Sequence, residues 1–162
     1  MSETDPSVHT QAIDKPNLKK IRDIHQQVLV LQDKTLIAVP DDGVVHPTIL
    51  TSTPCRDMSL ENGKGSPIYL GIVDPKLCLC CEESGGQPTL ELKEKDIMEL
   101  HHALKAEESF VFHVNTNGSI STFQSAAFPG WFISSSAEQG KPIKMTKDVG
   151  KDNTAFHFDP KV

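Results

Sequence analysis

Three of the four cysteines, Cys78, Cys80 and Cys81, crowd into one short segment, while Cys55 stands alone. Thiolates bind soft metals and attack electrophiles, so this segment is the first place to look for chemistry. A C-x-C-C run with no second pair at suitable spacing does not supply the ligand count of a structural zinc site. On a strand, Cys78 and Cys80 share one face and Cys81 points the other way, which reads as buried or half-buried free thiols. His101 and His102 are adjacent, so on regular structure their rings diverge. Ser84-Gly85-Gly86 is turn material without a phosphate-binding context. No G-x-S-x-G, H-E-x-x-H, P-loop or G-x-G-x-x-G occurs, and no constellation of His and carboxylates can be assembled from spacing. The residues predict a protein that is not an enzyme and carries no metal and no cofactor.

The elements that would position these residues belong to a chain of 162 residues and 17.8 kDa, the size of one ordinary domain. The formal charge is −6, from 16 Lys and Arg against 22 Asp and Glu. That balance argues against a role built on bulk attraction to nucleic acid. No run approaches the roughly 18 apolar residues of a membrane helix, so no membrane insertion is expected. The N-terminus, MSETDPSVHTQAIDKPNLKK, is polar and carries acids early. It lacks the apolar stretch of a signal peptide, which predicts synthesis in the cytoplasm. The cysteine pattern agrees, because a small secreted disulfide scaffold spreads its cysteines along the chain. Asn117-Gly118-Ser119 is a glycosylation sequon, and it matters only on a secretory route.

Residues 1 to about 17 are polar, hold Pro6 and Pro16 and show no periodicity, the pattern of a disordered tail. Short apolar runs follow, and they predict strands at 20–24, 28–31, 35–39, 48–52, 68–72, 77–81, 89–93, 110–114, 119–125, 131–134, 143–146 and 154–159. Many alternate with period two. In Thr89-Leu90-Glu91-Leu92-Lys93 the leucines face one way, and Phe156-His157-Phe158 behaves alike. Turn residues separate the runs: Asp33-Lys34, Asp41-Asp42-Gly43, Asp74-Pro75, Gly85-Gly86, Asn117-Gly118 and Gly140. Asn117-Gly118 between two apolar runs is a hairpin signal. Only 93–104 argues for a turn or two of helix, through Ile97, Met98, Leu100 and Leu104 behind Glu94 and Asp96. The stretch 53–66 is too long for a tight turn and is expected to be a recognition loop. Twelve short strands make the chain all-β, a sandwich or a closed barrel. Units of four would begin near Ile21, Ile68 and Ile120, and this near-equal spacing favours a β-trefoil with one short helical turn.

One segment is more specific. FQSAAFPGWFISS begins at Phe123 and is followed by Ile143. It resembles the signature of the interleukin-1 cytokine family: an aromatic or Cys, a Ser two residues on, a Pro four later, an apolar pair, a small residue and usually Thr. Phe123, Ser125, Ala126, Pro129, Phe132, Ile133, Ser134 and Ile143 fit, and Ser135 replaces the usual Thr. Physically these residues read as packing. Phe123 and Ser125 end a strand, Pro129-Gly130 turns the chain, and Trp131 and Ile133 alternate against Phe132. LIAVP from Leu36, SPIYLGI from Ser66, QPTLELKEKDIMEL from Gln87 and SAAFPGWFI from Ser125 resemble interleukin-36 cytokines. The resemblance runs from about Ile21 to Phe158.

This resemblance implies a β-trefoil and an extracellular cytokine secreted without a signal peptide, a monomer before it meets its receptor. It would bind the interleukin-36 receptor chain and recruit the interleukin-1 receptor accessory protein. Pro-inflammatory NF-kappa-B and MAP kinase signalling would follow. The resemblance also implies activation by a processing protease, nine residues before an aliphatic-x-Asp motif. Ile21-Arg22-Asp23 is the match, so the active chain is expected to begin at Ala12, with 1–11 a removable leader and 12–162 the cytokine domain. Carried over by position, receptor contacts are expected in the loops 41–46, 53–62, 135–139 and 147–153. The named candidates are Asp41, Asp42, His46, Arg56, Asp57, Glu138, Lys147, Asp148 and Lys151. The antagonist of this branch has a short N-terminus and lacks LIAVP, so the chain reads as an agonist. A receptor antagonist or an interleukin-37-like suppressor is the alternative within the family. Outside it stands a glycan-binding trefoil, which one Trp, one Tyr and the net negative charge disfavour. A trefoil protease inhibitor would show disulfides that this cysteine pattern does not suggest.

Overall fold

The structure is a computed structural model that describes residues 15–57, 65–150 and 153–161. The expected leader, Ala12, Lys151 and residues 58–64 of the 53–66 loop lie outside these residues. In chain order the strands are β1 (Asn17–Asp23), β2 (Gln27–Gln32), β3 (Thr35–Pro40), β4 (Leu50–Pro54), β5 (Ser66–Ile72), β6 (Leu77–Ser84) and β7 (Gln87–Glu94). The one α-helix among the described residues, α1 (Ile97–His102), and a 3-10 turn (Glu108–Phe110) follow. Then come β8 (Val111–Asn117), β9 (Ile120–Ser125), β10 (Phe132–Ser134), β11 (Lys141–Pro142), β12 (Lys144–Thr146) and β13 (Phe156–Pro160).

Six strands close on themselves because each finds an antiparallel partner on both sides. β1 pairs β4, β4 pairs β5, β5 pairs β8, β8 pairs β9, β9 pairs β13, and β13 returns to β1. Closure removes the free sheet edges that would otherwise invite pairing with other chains. Three hairpins grow from this barrel. β2–β3 branches from β1 at Arg22↔Val28, β6–β7 from β5 at Gly71↔Cys78, and β10–β12 from β9 at Gln124↔Phe132. The same branching three times, each with four strands, is the β-trefoil that the strand count and near-equal spacing favoured.

The interior follows from the period-two pattern. Leu77, Leu79 and Cys81 of β6 enter the main core, as do Leu29, Leu50, Leu70, Phe112, Phe123 and Phe156. Leu90, Leu92 and Phe158 pack against it, so the alternation read in β7 and β13 is real. Cys78 and Cys80 point the other way, into a second cluster with Tyr69, Ile97, Leu100, Phe110 and Val111. α1 covers this cluster. Asp96 starts the helix as its N-cap, with Oδ1 accepting the Met98 N–H at 3.0 Å.

Several boundaries depart from the sequence expectation. The fourth strand begins at Leu50, two residues late, because Thr48 serves β2 instead. Its N–H donates to the Leu29 carbonyl at 2.8 Å and its Oγ1 accepts the Leu31 N–H at 2.9 Å. β1 starts three residues early, since the polar Asn17-Leu18-Lys19 pairs with β4. β11 is a thirteenth strand beyond the twelve expected. Two residues without an apolar pattern pair with Ala38 and Ile37 of β3. The β8–β9 hairpin turns on Gly118-Ser119, one residue later than Asn-Gly suggested, because Asn117 still pairs with Ile120. Gly118 has φ +66°, the left-handed conformation needed at the first position of such a two-residue turn.

Candidate functional site

The signature segment is built as a packing unit. Phe123 is fully buried, its ring 5.0 Å from that of Phe158 in an edge-on contact and 6.0 Å from that of Phe156. Ser125 is buried at the end of β9 and its Oγ accepts the Phe128 N–H at 3.0 Å. The Trp131 N–H donates to the Phe128 carbonyl at 3.1 Å across Pro129-Gly130, and Gly130 has φ +91°, the arrangement of a type II turn. Ile133 is buried, Trp131 packs on the core, and Phe132 stays half-buried on the other side. Pro129 is exposed at the tip.

The loop candidates fall into two groups. After β3, Asp41, Asp42 and His46 are exposed. Asp42 accepts the N–H groups of Val44 at 2.8 Å and Val45 at 3.0 Å, which lowers its pKa, and Asp41 accepts the Gly43 N–H at 3.1 Å. Self-bonded aspartates of this kind shape their own loop. Glu138 is exposed between β10 and β11. Lys147 lies 5.4 Å above the Trp131 ring, and Asp148 donates its N–H to Thr146 Oγ1 at 3.0 Å. A bridge between Ser135 and Asn153 ties the segment after β10 to the one before β13. A notch of about 230 Å³ lined by His25, Gln27, Pro40, Ala137 and Gln139 joins the β1–β2 turn, the end of β3 and the 135–139 loop. A larger cleft of about 560 Å³ puts Asp41, Pro47 and Ile49 beside Lys20, Arg22 and Asp159.

Arg56 and Asp57 belong elsewhere. Asp57 accepts the Ala106 N–H at 2.8 Å, and the neighbouring Pro54 carbonyl lies 3.1 Å from His101 Nδ1. They flank α1 and the second cluster. Ile21 and Asp23 are both buried, Asp23 completely. Sequence reasoning gave no part to His25 or Gln27, and placed Asn153 only at the end of the 147–153 loop; all three meet near Asp23. Gln27 sits at the head of an apolar run, and only its place directly after the turn hints at a polar task.

The cysteines are four free thiols. Burial first, then the Asp96 carboxylate, pushes Cys78 up to about 12, and burial with Glu82 does the same for Cys80. Burial also raises Cys81, partly offset by a bond from Ser125. Cys80, Glu82 and Glu91 bring their ligand atoms within 4.8 Å of one another. Lys93 already pairs with Glu82, and a thiol this hard to ionise is a poor ligand, so the cluster reads as a cross-strand ion pair beside a buried Cys. Native protein at pH 8 is expected to label with a maleimide at half-buried Cys55 and far more slowly at the other three, and mass spectrometry of the labelled peptides checks this. Between pH 9 and 12 an unfolded thiol ionises while Cys78 and Cys80 do not. The folded state then binds more protons, and stability falls as pH rises. The denaturation midpoint should drop from pH 8 to pH 10, and drop less in a Cys78→Ala/Cys80→Ala variant.

The three-fold branching defines a β-trefoil, and the residues of its signature segment are spent on packing. The family model described as Interleukin-1 / 18 matches residues 57–158. The chain is 48% identical to human interleukin-36 alpha, covering 88% of this chain and 90% of that protein. Against mouse interleukin-36 beta the identity is 42%, with 89% and 80% covered. The NMR structure of the pro-inflammatory cytokine interleukin-36alpha superposes with a TM-score of 0.78 at 45% identity, covering 93% of this chain and 96% of that one. The chain belongs to the interleukin-1 family. It is a cytokine and not an enzyme.

Proposed function

We propose that this cytokine is an extracellular agonist of the interleukin-36 receptor. It engages the receptor chain through the loops beside the β1–β2 turn, and the pair recruits the interleukin-1 receptor accessory protein. NF-kappa-B and MAP kinase signalling follow. The observation that carries this reading is the likeness to interleukin-36 alpha and beta over nearly nine-tenths of the chain. Secretion without a signal peptide is part of this reading; no helix among the described residues is long and apolar enough to cross a membrane.

Trimming to Ala12 by a processing protease is the activating step in this reading. Ile21 and Asp23 are buried in the fold, so their side chains are poor handles for a protease. They act as a fixed origin instead. Nine extended residues reach about 30 Å from that origin, so the cut sets where the new α-amino group can lie. The test is a reporter cell line expressing both receptor chains, treated with protein beginning at Ala12. Signal that an antibody against the receptor chain blocks is the expected result. Competition with another agonist without signal identifies an antagonist, and no effect of either kind removes the receptor reading.

A further inference from the structure

Asp23 ends β1 with a fully buried carboxylate. Its Oδ1 accepts the backbone N–H groups of His25 and Gln27, both at 2.9 Å. Its Oδ2 accepts Gln27 Nε2 at 2.7 Å and Ser135 Oγ at 2.6 Å. A carboxylate taken out of water is tolerated when donors replace its hydration, and four do so here. The donors come from two places far apart in sequence, the β1–β2 turn and the end of β10.

The contacts spread outward from this centre. Gln27 Nε2 also donates to the Ser136 carbonyl at 3.0 Å. The Ser135 N–H donates to the Asn153 carbonyl at 2.9 Å, and Asn153 Oδ1 lies 3.0 Å from His25 Nε2. The turn after β1, the 135–139 loop and Asn153 are therefore joined by side-chain bonds and one isolated backbone bridge rather than by a full ladder. Gln27 Oε1 and Asn153 Nδ2 are buried without a hydrogen-bond partner, so the arrangement is held against a polar cost. β1 itself stays in the barrel through β13 and β4, independently of this centre.

We propose that Asp23 is a positioning residue: its carboxylate clamps the 135–139 loop and Asn153 to the β1–β2 turn, so that the first strand and these loops meet a receptor as one rigid surface. This rests on the reading that these loops face the receptor. Loss of the carboxylate leaves the barrel paired and releases the loops.

The experiment compares wild type, Asp23→Asn and Ser135→Ala, all beginning at Ala12. Asn keeps the shape with one acceptor oxygen in place of two, and the serine change deletes a single bond. Native-state hydrogen exchange is read without receptor. Amides of the 135–139 loop and of Asn153 and Thr154 are expected to exchange about tenfold faster in Asp23→Asn, less so in Ser135→Ala, with the β6–β7 hairpin unchanged. Binding to the receptor ectodomain, measured well below the melting temperature, should weaken in the same order. Equal acceleration in the hairpin means global destabilisation and overturns the proposal, as does unchanged loop exchange. If Asp23→Asn does not fold, Ser135→Ala decides by the same criteria. If wild type does not bind the receptor, the receptor reading falls, while the exchange comparison still decides the clamp.

Discussion

Protein beginning at Ala12 is expected to be more potent than the full chain by at least about tenfold, which corresponds to ~1.4 kcal/mol. The physical basis is reach. Residues 1–11 would add up to about 40 Å of chain when extended, rooted at a strand that also carries Asp23. Such a tail leaves the Asn17 end of β1, away from Asp23, and where its reach brings it to the candidate contact surface it must be excluded from the interface or ordered within it, and either course costs free energy. The leader holds Glu3 and Asp5 and no Lys or Arg, so its loss also moves the formal charge from −6 to −4. The measurement is a dose–response curve for four proteins, beginning at Met1, Gln11, Ala12 and Ile13. A maximum at Ala12 supports a ruler measured from the buried Ile21-Arg22-Asp23 segment. Equal potency of the four would sink the trimming mechanism and leave the fold and family untouched.

Phe123→Ala is expected to destabilise the fold by about 3–5 kcal/mol, the range for deleting a buried Phe side chain and leaving a cavity. Phe123 is fully buried in the main core and holds the rings of both Phe156 and Phe158. It also sits on β9, which joins β8 to β13 and carries β10. The loss should therefore lower the melting temperature by on the order of 10 °C for a chain of this length. Phe123→Leu, which keeps much of the volume, should cost clearly less. Chemical denaturation followed by Trp131 fluorescence and circular dichroism checks both. A loss below about 1 kcal/mol with the alanine would show that the signature is not a packing motif. The proposed receptor surface does not include Phe123, so the folded Phe123→Ala fraction should still bind.

Most of the fold was legible because the barrel and hairpin strands alternate cleanly. Leu90 and Leu92, or Phe156 and Phe158, needed only the period-two rule to be assigned to the core. The spacing of Ile97, Met98 and Leu100 marked the helix, and the structure adds Asp96 as its N-cap. What escaped was set by partners far along the chain. Lys141-Pro142 is a strand only because Ile37 and Ala38 lie beside it. Thr48 looks like a strand residue and is instead spent bonding to β2. The 3-10 turn at Glu108–Phe110 carries no periodic signal in three residues.

The candidate surface was less legible than the fold, for the same reason. Asp23 entered through a resemblance, as the marker for a cleavage distance. Nothing in the segment Ile21-Arg22-Asp23 reveals that its carboxylate meets Ser135, a partner on another trefoil unit. Gln27 looked like the polar edge of an apolar run and turns out to be buried between Asp23 and Ser136. Charged loop residues, by contrast, are easy to name and hard to rank. Asp41 and Asp42 spend oxygens on their own loop, and Asp57 holds the Ala106 N–H. Composition cannot separate such local work from contact with a partner.

The central claim is tested most directly by a two-step binding measurement. Protein beginning at Ala12 is passed over immobilised interleukin-36 receptor ectodomain, and the interleukin-1 receptor accessory protein ectodomain is then added. Saturable binding is expected in the first step and a further, cytokine-dependent gain in the second. Binding without the second gain would contradict the agonist assignment, and no binding in the first step would contradict the receptor itself.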